Sequence, residues 1–389
     1  MKPLNVRKII ITHALFTGDQ VIRELSDLGY QIRQQDKLHV EITGTLHDAI
    51  KLNLYLRTAH RVLYHISHFD AINLNDLYSE IKKIHWEEII PLKGYFSIHS
   101  FVRQKDIHDF RIVNLKMKDA IVDRFHTKYK NRPDSGNRQD HLVLFIRWVN
   151  DAAEVYLDTS GETLAKHGYR RQSWKAPLSE SLAAAIIYSM NWDLRIPFIN
   201  PMCGSGTLAI EAALMASNRY PGIYRDNYSF LHLNDSPTEI YLELKKELSS
   251  IIDRNNHTLI IATDIHPGAI RQAKLNAQQA GIYDLIKFET ADFQESSIPD
   301  PPGIIILNPG YGKRLGEEKI LEPVYEQIGD FFKQKCKGYT GYVFTGNLNL
   351  SKKIGLRTKR KIPYLNGNIE CRLLEYELYA GSRKKADKE

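Results

Sequence analysis

The sequence is poor in cysteine and has no long hydrophobic run. Only three cysteines occur among its 389 residues, and they lie far apart at Cys203, Cys336 and Cys371. This scarcity argues against a disulfide framework and predicts a reducing, cytoplasmic compartment. No stretch of about 18 apolar residues is present, so the sequence predicts no contact with a membrane. Its cysteines and histidines lack the spacing typical of zinc sites, and no metal is expected.

Basic residues outnumber acidic ones, 53 against 46, which gives a formal net charge of +7 at pH 7. A basic balance permits a polyanionic partner, because neutralisation of phosphates by lysine and arginine releases counterions. Many basic proteins bind no nucleic acid, so the charge alone does not identify the partner. Motifs further along the chain are needed to identify the partner.

The first 160 residues alternate short strands and amphipathic helices, which is typical of an α+β region. A strand at 40–42 ends at a Thr-Gly pair, and an Asn-Asp pair at 150–151 predicts a turn between two strands. Leu46–Tyr64 is predicted to form one long helix. The other predicted elements are a helix from Asn75, a strand at 95–99, a helix over Leu115–Tyr129, and strands at 142–146 and 153–158.

From Leu178 onward the pattern changes to short strands that are apolar on both faces, as in a helix-covered parallel sheet. Asn366-Gly367 separates two further β-like stretches and is a strong hairpin signal. This half therefore predicts a Rossmann-like α/β domain, whose mostly parallel seven-stranded sheet closes with an antiparallel hairpin. Residues 382–389 are charged and predict a disordered tail. The predicted parallel strands lie at 198–199, 259–263, 285–289, 303–307 and 340–344.

The most informative stretch runs from a strand at Phe198 through a glycine-containing loop into a helix that begins near Thr207. Gly204 and Gly206 permit a tight turn and a close approach of a ligand to the backbone, because neither has a Cβ atom. The first N–H groups of the helix are free to bind that ligand. The Lys-Ser/Thr pair of a P-loop is missing, so the loop is not a P-loop.

Acidic residues follow the next two predicted strands. Asp264 comes after the second strand, beyond an insertion at about 217–256, and a carboxylate there can accept both ribose hydroxyls of an adenosine. Asp292 follows the third strand and can reach an adenine amino group, while Phe293 can cover the ring. Each aspartate alone is equally well explained as a helix-start residue. Because ligands of open α/β sheets bind at the carboxyl ends of strands, the features together predict a cofactor site.

The fourth strand ends in Asn308-Pro309-Gly310-Tyr311, which resembles the N-P-P-Y motif of amino-group methyltransferases. An exocyclic amine is a poor nucleophile because its lone pair is delocalised into the ring. The Asn308 amide oxygen and the Pro309 carbonyl can accept its two N–H bonds and so turn the lone pair toward a methyl donor. Tyr311 is expected to stack on the base. Gly310 stands where the motif has a second proline, so this loop is expected to be less preorganised.

Longer motifs at 158–170, 176–185, 201–207 and 308–316 closely resemble the THUMP-domain RNA methyltransferases, and 116–123 resembles the family's THUMP helix. The group resembled is the bacterial 23S rRNA guanine-N2 methyltransferases, and the resemblance covers nearly the whole chain. It implies S-adenosylmethionine as cofactor and RNA, with rRNA favoured, as partner. The domains it implies are a ferredoxin-like part at 1–45, a THUMP RNA-binding domain at 46–158, a linker at 159–176, a methyltransferase domain at 177–381 and the tail at 382–389.

These motifs supply candidate residues for each role. Asn200 stands where the family usually has aspartate, which is expected to weaken one contact to the cofactor's amino group. Cys203 is interpreted as loop packing, because methyl transfer to an amine needs no thiol. The candidates are Asn308, Pro309 and Tyr311 for catalysis; Asn200, Pro201, Cys203, Gly204, Ser205, Gly206, Thr207, Asp264, Ile265, Asp292, Phe293 and Asn308 for the cofactor; and Lys116, Lys118, Arg170, Arg171, Lys313 and Arg314 for RNA, with the run Lys352, Lys353, Arg357, Lys359, Arg360 and Lys361 as further phosphate contacts.

Several functions remain open. Methylation of guanine N2 in 23S rRNA is favoured, and tRNA is the alternative substrate. Methylation of adenine N6 in DNA or of a protein glutamine also uses N-P-P-Y, but those enzymes lack a THUMP-like N-terminal half. Gly310 and Asn200 alone favour a third function, an RNA-binding protein with a weakened active site that assists ribosome assembly. A nicotinamide dehydrogenase does not account for Asn308 and Tyr311.

Overall fold

The computed structural model describes residues 5–170, 178–312 and 317–379, with only the backbone of Glu317. The chain divides into two compact units, neither of which is continuous in sequence. The first unit contains residues 5–14, 21–165 and 220–250, and the second contains the other described residues. None of the described helices has the length and apolar character needed to cross a bilayer.

The first unit is built on an eight-stranded sheet that joins the predicted ferredoxin-like and THUMP regions. Its strand order is β2-β3-β1-β4-β8-β7-β5-β6, and its pairings are antiparallel except those of β5 with β6 and β7. The strands are β1 (Arg7–His13), β2 (Gln34–Gln35), β3 (His39–Gly44), β4 (Ala59–Asp70), β5 (Tyr95–Arg103), β6 (Asp134–Gly136), β7 (Leu142–Val149) and β8 (Ala152–Asp158).

Several helices begin where the sequence provides an N-terminal cap. Thr45 and Asp48 form a capping box, and the Asn73 side chain accepts from two backbone N–H groups of the next helix. The helices are α1 (Gly18–Asp27), α2 (Leu46–Tyr55), α3 (Leu74–Lys83), α4 (Phe110–Tyr129), α5 (Glu180–Ser189), α6 (Thr207–Ala216), α7 (Thr238–Ser250), α8 (Pro267–Gln279), α9 (Glu317–Lys335) and α10 (Leu348–Ser351).

The predicted helix over Leu46–Tyr64 is wrong beyond Tyr55. The buried carboxylate of Glu24 accepts the backbone N–H groups of Arg57 and Thr58, at 2.7 and 3.0 Å. Those N–H groups are thereby withdrawn from a continuing helix. The chain then enters β4, which pairs with β1 and β8. A partner distant in sequence therefore ends a helix that local periodicity would extend.

The second unit contains the predicted seven-stranded sheet, with strand order β11-β10-β9-β12-β13-β15-β14. Its first five members are parallel, and β15 is antiparallel to both neighbours. The Asn366-Gly367 turn joins the last two strands, which confirms the predicted hairpin. The strands are β9 (Phe198–Pro201), β10 (Ile260–Asp264), β11 (Ile286–Thr290), β12 (Ile304–Leu307), β13 (Thr340–Thr345), β14 (Arg360–Asn366) and β15 (Ile369–Glu377).

The order of strands fixes where a ligand can bind in this sheet. The chain runs outward from β9 to β10 and β11, and then returns to place β12 on the other side of β9. The loops that follow β9 and β12 therefore diverge and leave a crevice at the carboxyl ends of the strands. On one face of the sheet, α9 packs its buried Ile328 and Phe332 among Ile305 and Val343. The sheet is thus a rigid support for the loops at its edge.

The insertion between the glycine loop and Asp264 belongs mainly to the first unit. Residues 220–250 pack there, and the Ser229 hydroxyl accepts the backbone N–H of Val143 at 2.8 Å. The first residues of the predicted linker also pack in the first unit, since the buried Thr159 binds the side chain of Asn53 at 2.7 Å. The predicted domain boundaries, which place 217–256 in the methyltransferase domain, therefore differ from these units.

Candidate active site

The glycine loop leaves the end of β9 and is held by backbone hydrogen bonds. Cys203 donates its N–H to the carbonyl of Thr263 at 3.0 Å, and Gly206 donates to the carbonyl of Cys203 at 2.9 Å. Gly204 and Gly206 have φ angles of 56° and 82°, in the left-handed region that favours glycine. A Cβ atom on Gly206 would lie 2.9 Å from the Cβ of Ala273 on α8. Glycine at this position therefore lets the start of α6 pack closely on α8.

Gly204 differs from Gly206 in its surroundings. A Cβ atom placed on Gly204 meets nothing within 4 Å, so the loop presents open space there. The N-terminus of α6, where Thr207 is the first helical residue, lies beside it and has N–H groups that no earlier turn of the helix can bind. The loop therefore combines free backbone donors with room for a ligand.

Asp264 stands at the carboxyl end of β10 and bonds directly to the glycine loop. Its Oδ2 accepts the N–H of Gly204 at 3.0 Å, and its Oδ1 accepts the N–H of His266 at 2.9 Å. Each carboxylate oxygen has a further lone pair, so the group can also accept hydroxyls of a ligand. About 9% of Asp264 is exposed, and it faces the cavity described below.

Asp292 and Phe293 follow β11 at the same edge of the sheet. Asp292 accepts the N–H of Gln294 at 2.9 Å, which is the helix-start role that the sequence also allowed. Phe293 packs edge-on against Phe331, with ring centroids 5.5 Å apart. Both residues line the cavity, where an apolar ring next to a carboxylate suits an adenine base.

The loop after β12 brings the motif residues to this edge. The Tyr311 hydroxyl donates to Oδ1 of Asn308 at 3.0 Å. Burial raises the pKa of Tyr311 above its usual range, so its hydroxyl keeps the proton that it donates. This bond orients the amide and still leaves one lone pair on Oδ1 for a second donor. The Tyr311 ring lies edge-on to Phe344 at 6.4 Å, and its predicted stacking on a base stays a prediction.

Three neighbouring polar groups hold the motif loop in place. The Tyr325 hydroxyl donates to the carbonyl of Gly310 at 3.0 Å and lies 2.7 Å from the Thr345 hydroxyl. Asn347 donates its side-chain amide to the carbonyl of Tyr311 at 3.1 Å. A Cβ atom on Gly310 would meet only Leu321, at an ordinary contact distance of 3.5 Å. These hydrogen bonds therefore restrain the loop at and just after the position where the motif has its second proline.

One cavity of about 550 Å³ brings these elements together, all of them in the second unit. Eleven of the predicted site residues line it: Cys203, Gly204, Ser205, Thr207, Asp264, Ile265, Asp292, Phe293, Asn308, Pro309 and Tyr311. Burial raises the pKa of the Cys203 thiol well above its usual value, and the charge of Asp264 adds to this effect. The thiol therefore stays protonated, as the packing interpretation requires.

The cavity also has lining residues that the sequence interpretation missed. Leu321, Val324 and Gln327 come from one face of α9, and Asn366 and Ile369 come from the tip of the terminal hairpin. In the sequence these three residues recur at a spacing of three, which predicts that they share one face of a helix. That spacing does not indicate a cavity, because any helix that packs on a core shows it. The other missed lining residues are Leu178, Met202, Leu208, His266 and Gly310.

Asn200, Pro201 and Gly206 do not line the cavity, although each is predicted to bind the cofactor. Asn200 is 1% exposed, and its Nδ2 donates to the carbonyl of Ile306 at 3.1 Å. The amide therefore links β9 to β12 within the sheet. Its predicted contact to the cofactor's amino group stays a prediction.

Arg170 is also placed differently from its predicted role in binding RNA. Its guanidinium donates to the carbonyl of Leu178 at 2.6 Å and to the hydroxyl of Thr207 at 2.9 Å. It also pairs with Glu180 at 3.2 Å, and its side chain is 12% exposed. These contacts fix the chain next to the first turn of α6 and leave the arginine little surface for a phosphate.

The remaining predicted RNA contacts divide into two groups. Lys116 and Lys118 lie on α4 in the first unit, where Lys116 sits over the Tyr78 ring at 5.0 Å and Lys118 pairs with Asp119 at 3.3 Å. Their role in binding RNA stays a prediction. Arg171, Lys313 and Arg314 lie outside the described residues. Within the described ranges, no cluster of histidine, cysteine and acidic residues is arranged to hold a metal ion.

The sheet order, the glycine loop and the carboxylate after β10 define a class I methyltransferase fold. Comparison with protein families gives three matches: an RMKL-like methyltransferase domain at residues 167–375, an RlmL ferredoxin-like domain at 18–63 and a THUMP domain at 71–158. The chain belongs to the RMKL-like methyltransferase family, whose cofactor is S-adenosylmethionine. The predicted domain boundary at residue 45 falls inside the ferredoxin-like match.

Individual relatives agree with the family. The chain is 33% identical to a putative RNA methyltransferase, slr0064, of Synechocystis over 92% of this chain and 93% of that protein. It is 33% identical to the ribosomal RNA large subunit methyltransferase K/L of Syntrophotalea carbinolica over 91% of this chain. The chain spans about half the length of the K/L relatives that it matches. A crystal structure of SMU.472, a putative methyltransferase complexed with SAH, superposes with a TM-score of 0.86 at 27% identity and covers 98% of this chain and 100% of that chain.

The described residues fit S-adenosylmethionine. Gly204 leaves open space beside free N–H groups, Asp264 presents a carboxylate suited to ribose hydroxyls, and Phe293 offers an apolar face near Asp292. The cavity of about 550 Å³ is in the range typical of small-molecule sites. The motif loop lines the same cavity, so an acceptor at Asn308 would share it with the cofactor.

Proposed function

We propose that this chain methylates the exocyclic N2 of a guanine in RNA, with large-subunit rRNA as the substrate. The observation that supports this most directly is the position of Asn308 and Pro309 in the cavity that also contains the glycine loop and Asp264. The THUMP match and the relatives named as RNA or rRNA methyltransferases support RNA as the partner.

In this proposal the protein acts by positioning the acceptor nitrogen. S-adenosylmethionine supplies a methyl group bound to a positively charged sulfur. The free lone pair on Oδ1 of Asn308 and the carbonyl of Pro309 accept the two N–H bonds of the amine, so its nitrogen lone pair points away from the loop. The bond from Tyr311 keeps the Asn308 amide in that orientation. No strong base is required, because the methylated nitrogen loses its proton readily once the new bond has formed.

Guanine N2 rather than another amine is proposed because of the family resemblance and the THUMP domain. An exocyclic amine of any base could in principle use the Asn308 clamp. Recognition of the base therefore has to come from other residues that line the cavity. Asn366, at the hairpin tip, lines the cavity, and its side-chain amide supports a role for this residue in recognising the base.

The test is transfer of a labelled methyl group to RNA extracted from cells that lack this protein. Purified protein is incubated with labelled S-adenosylmethionine and with 23S rRNA or tRNA, and the digested nucleosides are identified by mass spectrometry. The expected product is N2-methylguanosine in 23S rRNA, and Asn308→Ala serves as the inactive control. Label in tRNA alone would show that tRNA is the substrate in place of rRNA. Detection of N6-methyladenosine would show that adenine is methylated in place of guanine. Cofactor binding without transfer to any RNA would favour the RNA-binding alternative.

A further inference from the structure

A second cavity of about 570 Å³ lies in the second unit, away from the cofactor cavity. It lies at the opposite end of the sheet, where Lys337 precedes β13 and Leu378 follows β15. Because β13 is parallel to the strands that lead into the cofactor site, the start of β13 is the end farthest from that site. We call this cavity the basic groove; it is lined by Phe332, Lys333, Lys337, Leu356, Arg357, Thr358, Lys359, Tyr376, Glu377, Leu378 and Tyr379.

Cations dominate the charge of the basic groove. It contains four lysine or arginine side chains against one carboxylate, Glu377, which already pairs with Lys359. Lys333 lies 3.4 Å from Asp330 in an exposed pair, which contributes little to stability. Within the described residues, neither Lys337 nor Arg357 has a carboxylate partner, and both are exposed. The groove therefore has two cations available for an anionic ligand.

The structure also separates these cations from the rest of the basic run at 352–361. Lys353 pairs with Glu322 at 3.1 Å, and Arg360 pairs with the buried Glu375. Of that run, only Arg357 and Lys359 line the groove. Neighbours in sequence thus have different surroundings. The groove combines Arg357, which follows β13 in the chain, with Lys337, which precedes it.

The groove is also lined by apolar and aromatic residues. Phe332 and Tyr376 form a buried floor, and Leu378 is 6% exposed. Tyr379 stands at the rim with half of its surface exposed. Cations that follow a backbone, together with an aromatic ring on which a base can stack, are the features by which proteins bind single-stranded nucleic acid.

We propose that the basic groove binds a single-stranded segment of the RNA substrate, away from the nucleotide that is methylated. Lys337 and Arg357 neutralise phosphates of this segment, and Tyr379 stacks on a base. A neutral or cationic peptide would leave these charges unpaired, whereas the polyanion on which this family acts complements them. The proposal rests on RNA as the substrate and is independent of which base is methylated.

Salt dependence of RNA binding provides the test. The full chain is titrated with an oligouridylate of about 16 nucleotides at several salt concentrations. Each phosphate contact to a single strand contributes about 0.7 to the magnitude of the slope of log affinity against log salt. Loss of one contact therefore weakens binding at 0.1 M salt roughly fivefold, when affinities are compared with those at 1 M salt. The double variant Lys337→Gln/Arg357→Gln is therefore expected to lower the slope by about 1.4 and to weaken binding roughly 25-fold.

Arg254→Gln/Arg271→Gln is the matched control, because it removes two exposed cations of the same unit outside the groove. This control is expected to retain nearly the full slope. Tyr379→Ala is expected to weaken binding about tenfold, while Tyr379→Phe keeps the ring and the affinity. Equal slopes for the groove variant and the control would overturn the proposal. All these variants change exposed positions, and cofactor binding checks that each is folded.

Failure of this proposal is distinguishable from failure of the proposed function. If the groove variant keeps its affinity and salt slope while methyl transfer to RNA continues, only the groove assignment is wrong. If the unchanged protein transfers no methyl group to any RNA, the proposed function is wrong, whatever the groove binds.

Discussion

The hydroxyl of Tyr325 donates to the carbonyl oxygen of Gly310 at 3.0 Å. Thr345 lies 2.7 Å from the same hydroxyl, and the backbone N–H of Asn347 donates to Thr345 at 3.1 Å. This buried relay fixes the middle of the motif loop, which a second proline would otherwise make rigid. Tyr325 is thus a positioning residue, because it acts on the acceptor site through Gly310.

Tyr325→Phe is expected to lower kcat roughly three- to tenfold, because one hydrogen bond of about 1 kcal/mol no longer holds the loop. Cofactor affinity should stay the same. Gly310→Ala should restore part of the lost rate, since alanine fits there and restricts the loop. Tyr339→Phe is the matched control, because Tyr339 also donates to a backbone carbonyl, that of Pro299, outside the cavity. Similar losses of kcat in both phenylalanine variants would contradict a positioning role for Tyr325.

Asn308→Ala is expected to reduce methyl transfer at least about a hundredfold, because the amine loses an acceptor that is engaged in the transition state. Asn308→Asp keeps an acceptor oxygen and should retain more activity. Single-turnover transfer gives the rate, and calorimetry gives the affinity for S-adenosylmethionine, which should be nearly unchanged in both variants. Unchanged turnover in the alanine variant would remove Asn308 from the mechanism.

Asp264→Ala is expected to weaken cofactor binding roughly ten- to hundredfold, because a charged acceptor of hydroxyl hydrogen bonds contributes about 1.5–3 kcal/mol. The variant also loses the bonds to Gly204 and His266, so loosening of the loop contributes to the effect. Asp284→Ala changes an exposed aspartate of the same unit outside the cavity and serves as control. Calorimetric affinities that match for the two variants would exclude Asp264 from the cofactor site.

The two glycines of the cofactor loop should respond differently to alanine. Gly206→Ala is expected to destabilise the protein by about 2 kcal/mol or more, since it adds contact with Ala273 to the strain of a positive φ angle. Gly204→Ala carries only the strain of its φ angle. The double variant Gly206→Ala/Ala273→Gly removes the closest contact, that with the Ala273 Cβ atom, and should recover part of the loss. Unfolding in urea gives these free energies, and equal losses for the two single variants would contradict the packing argument.

His60 links the stability of the first unit to pH. Burial lowers the pKa of His60 to about 4, with smaller contributions from the charges of His13 and Arg61. The unfolded chain takes up this proton near pH 6.5, while the folded chain does not until about pH 4. The contribution of His60 to the free energy of unfolding is therefore fully present above about pH 6.5. It is lost as the pH falls toward 4, by at most ~3 kcal/mol.

His60→Asn should flatten the dependence of unfolding free energy on pH between about 6.5 and 4. The comparison of slopes, rather than of absolute stabilities, removes any effect of the substitution on packing. His65, whose pKa burial also lowers to about 4, remains in the variant, so part of the slope should persist. Parallel slopes for the variant and the unchanged protein would show that His60 does not titrate in this way.

Features that depend on local pattern could be predicted from the sequence. The parallel strands, the glycine loop and the Asn366-Gly367 turn each follow from residues next to one another in the chain. The helix over Leu46–Tyr64 was wrong because Glu24, far away in sequence, accepts the N–H groups that would have continued it. Similarly, the buried pair of Arg170 with Glu180 gives no signal that distinguishes Arg170 from an exposed cation.

The affiliation of residues 220–250 has a consequence for dissecting this protein. Tyr228 and Phe230 are buried, their rings stack at 5.1 Å, and they belong to the first unit although they lie between two parts of the second. A fragment that starts at residue 166 would carry this segment without its host and expose an aromatic surface prone to aggregation. No single cleavage separates the two units, so exchanging one of them between relatives requires transplanting a discontinuous set of peptides.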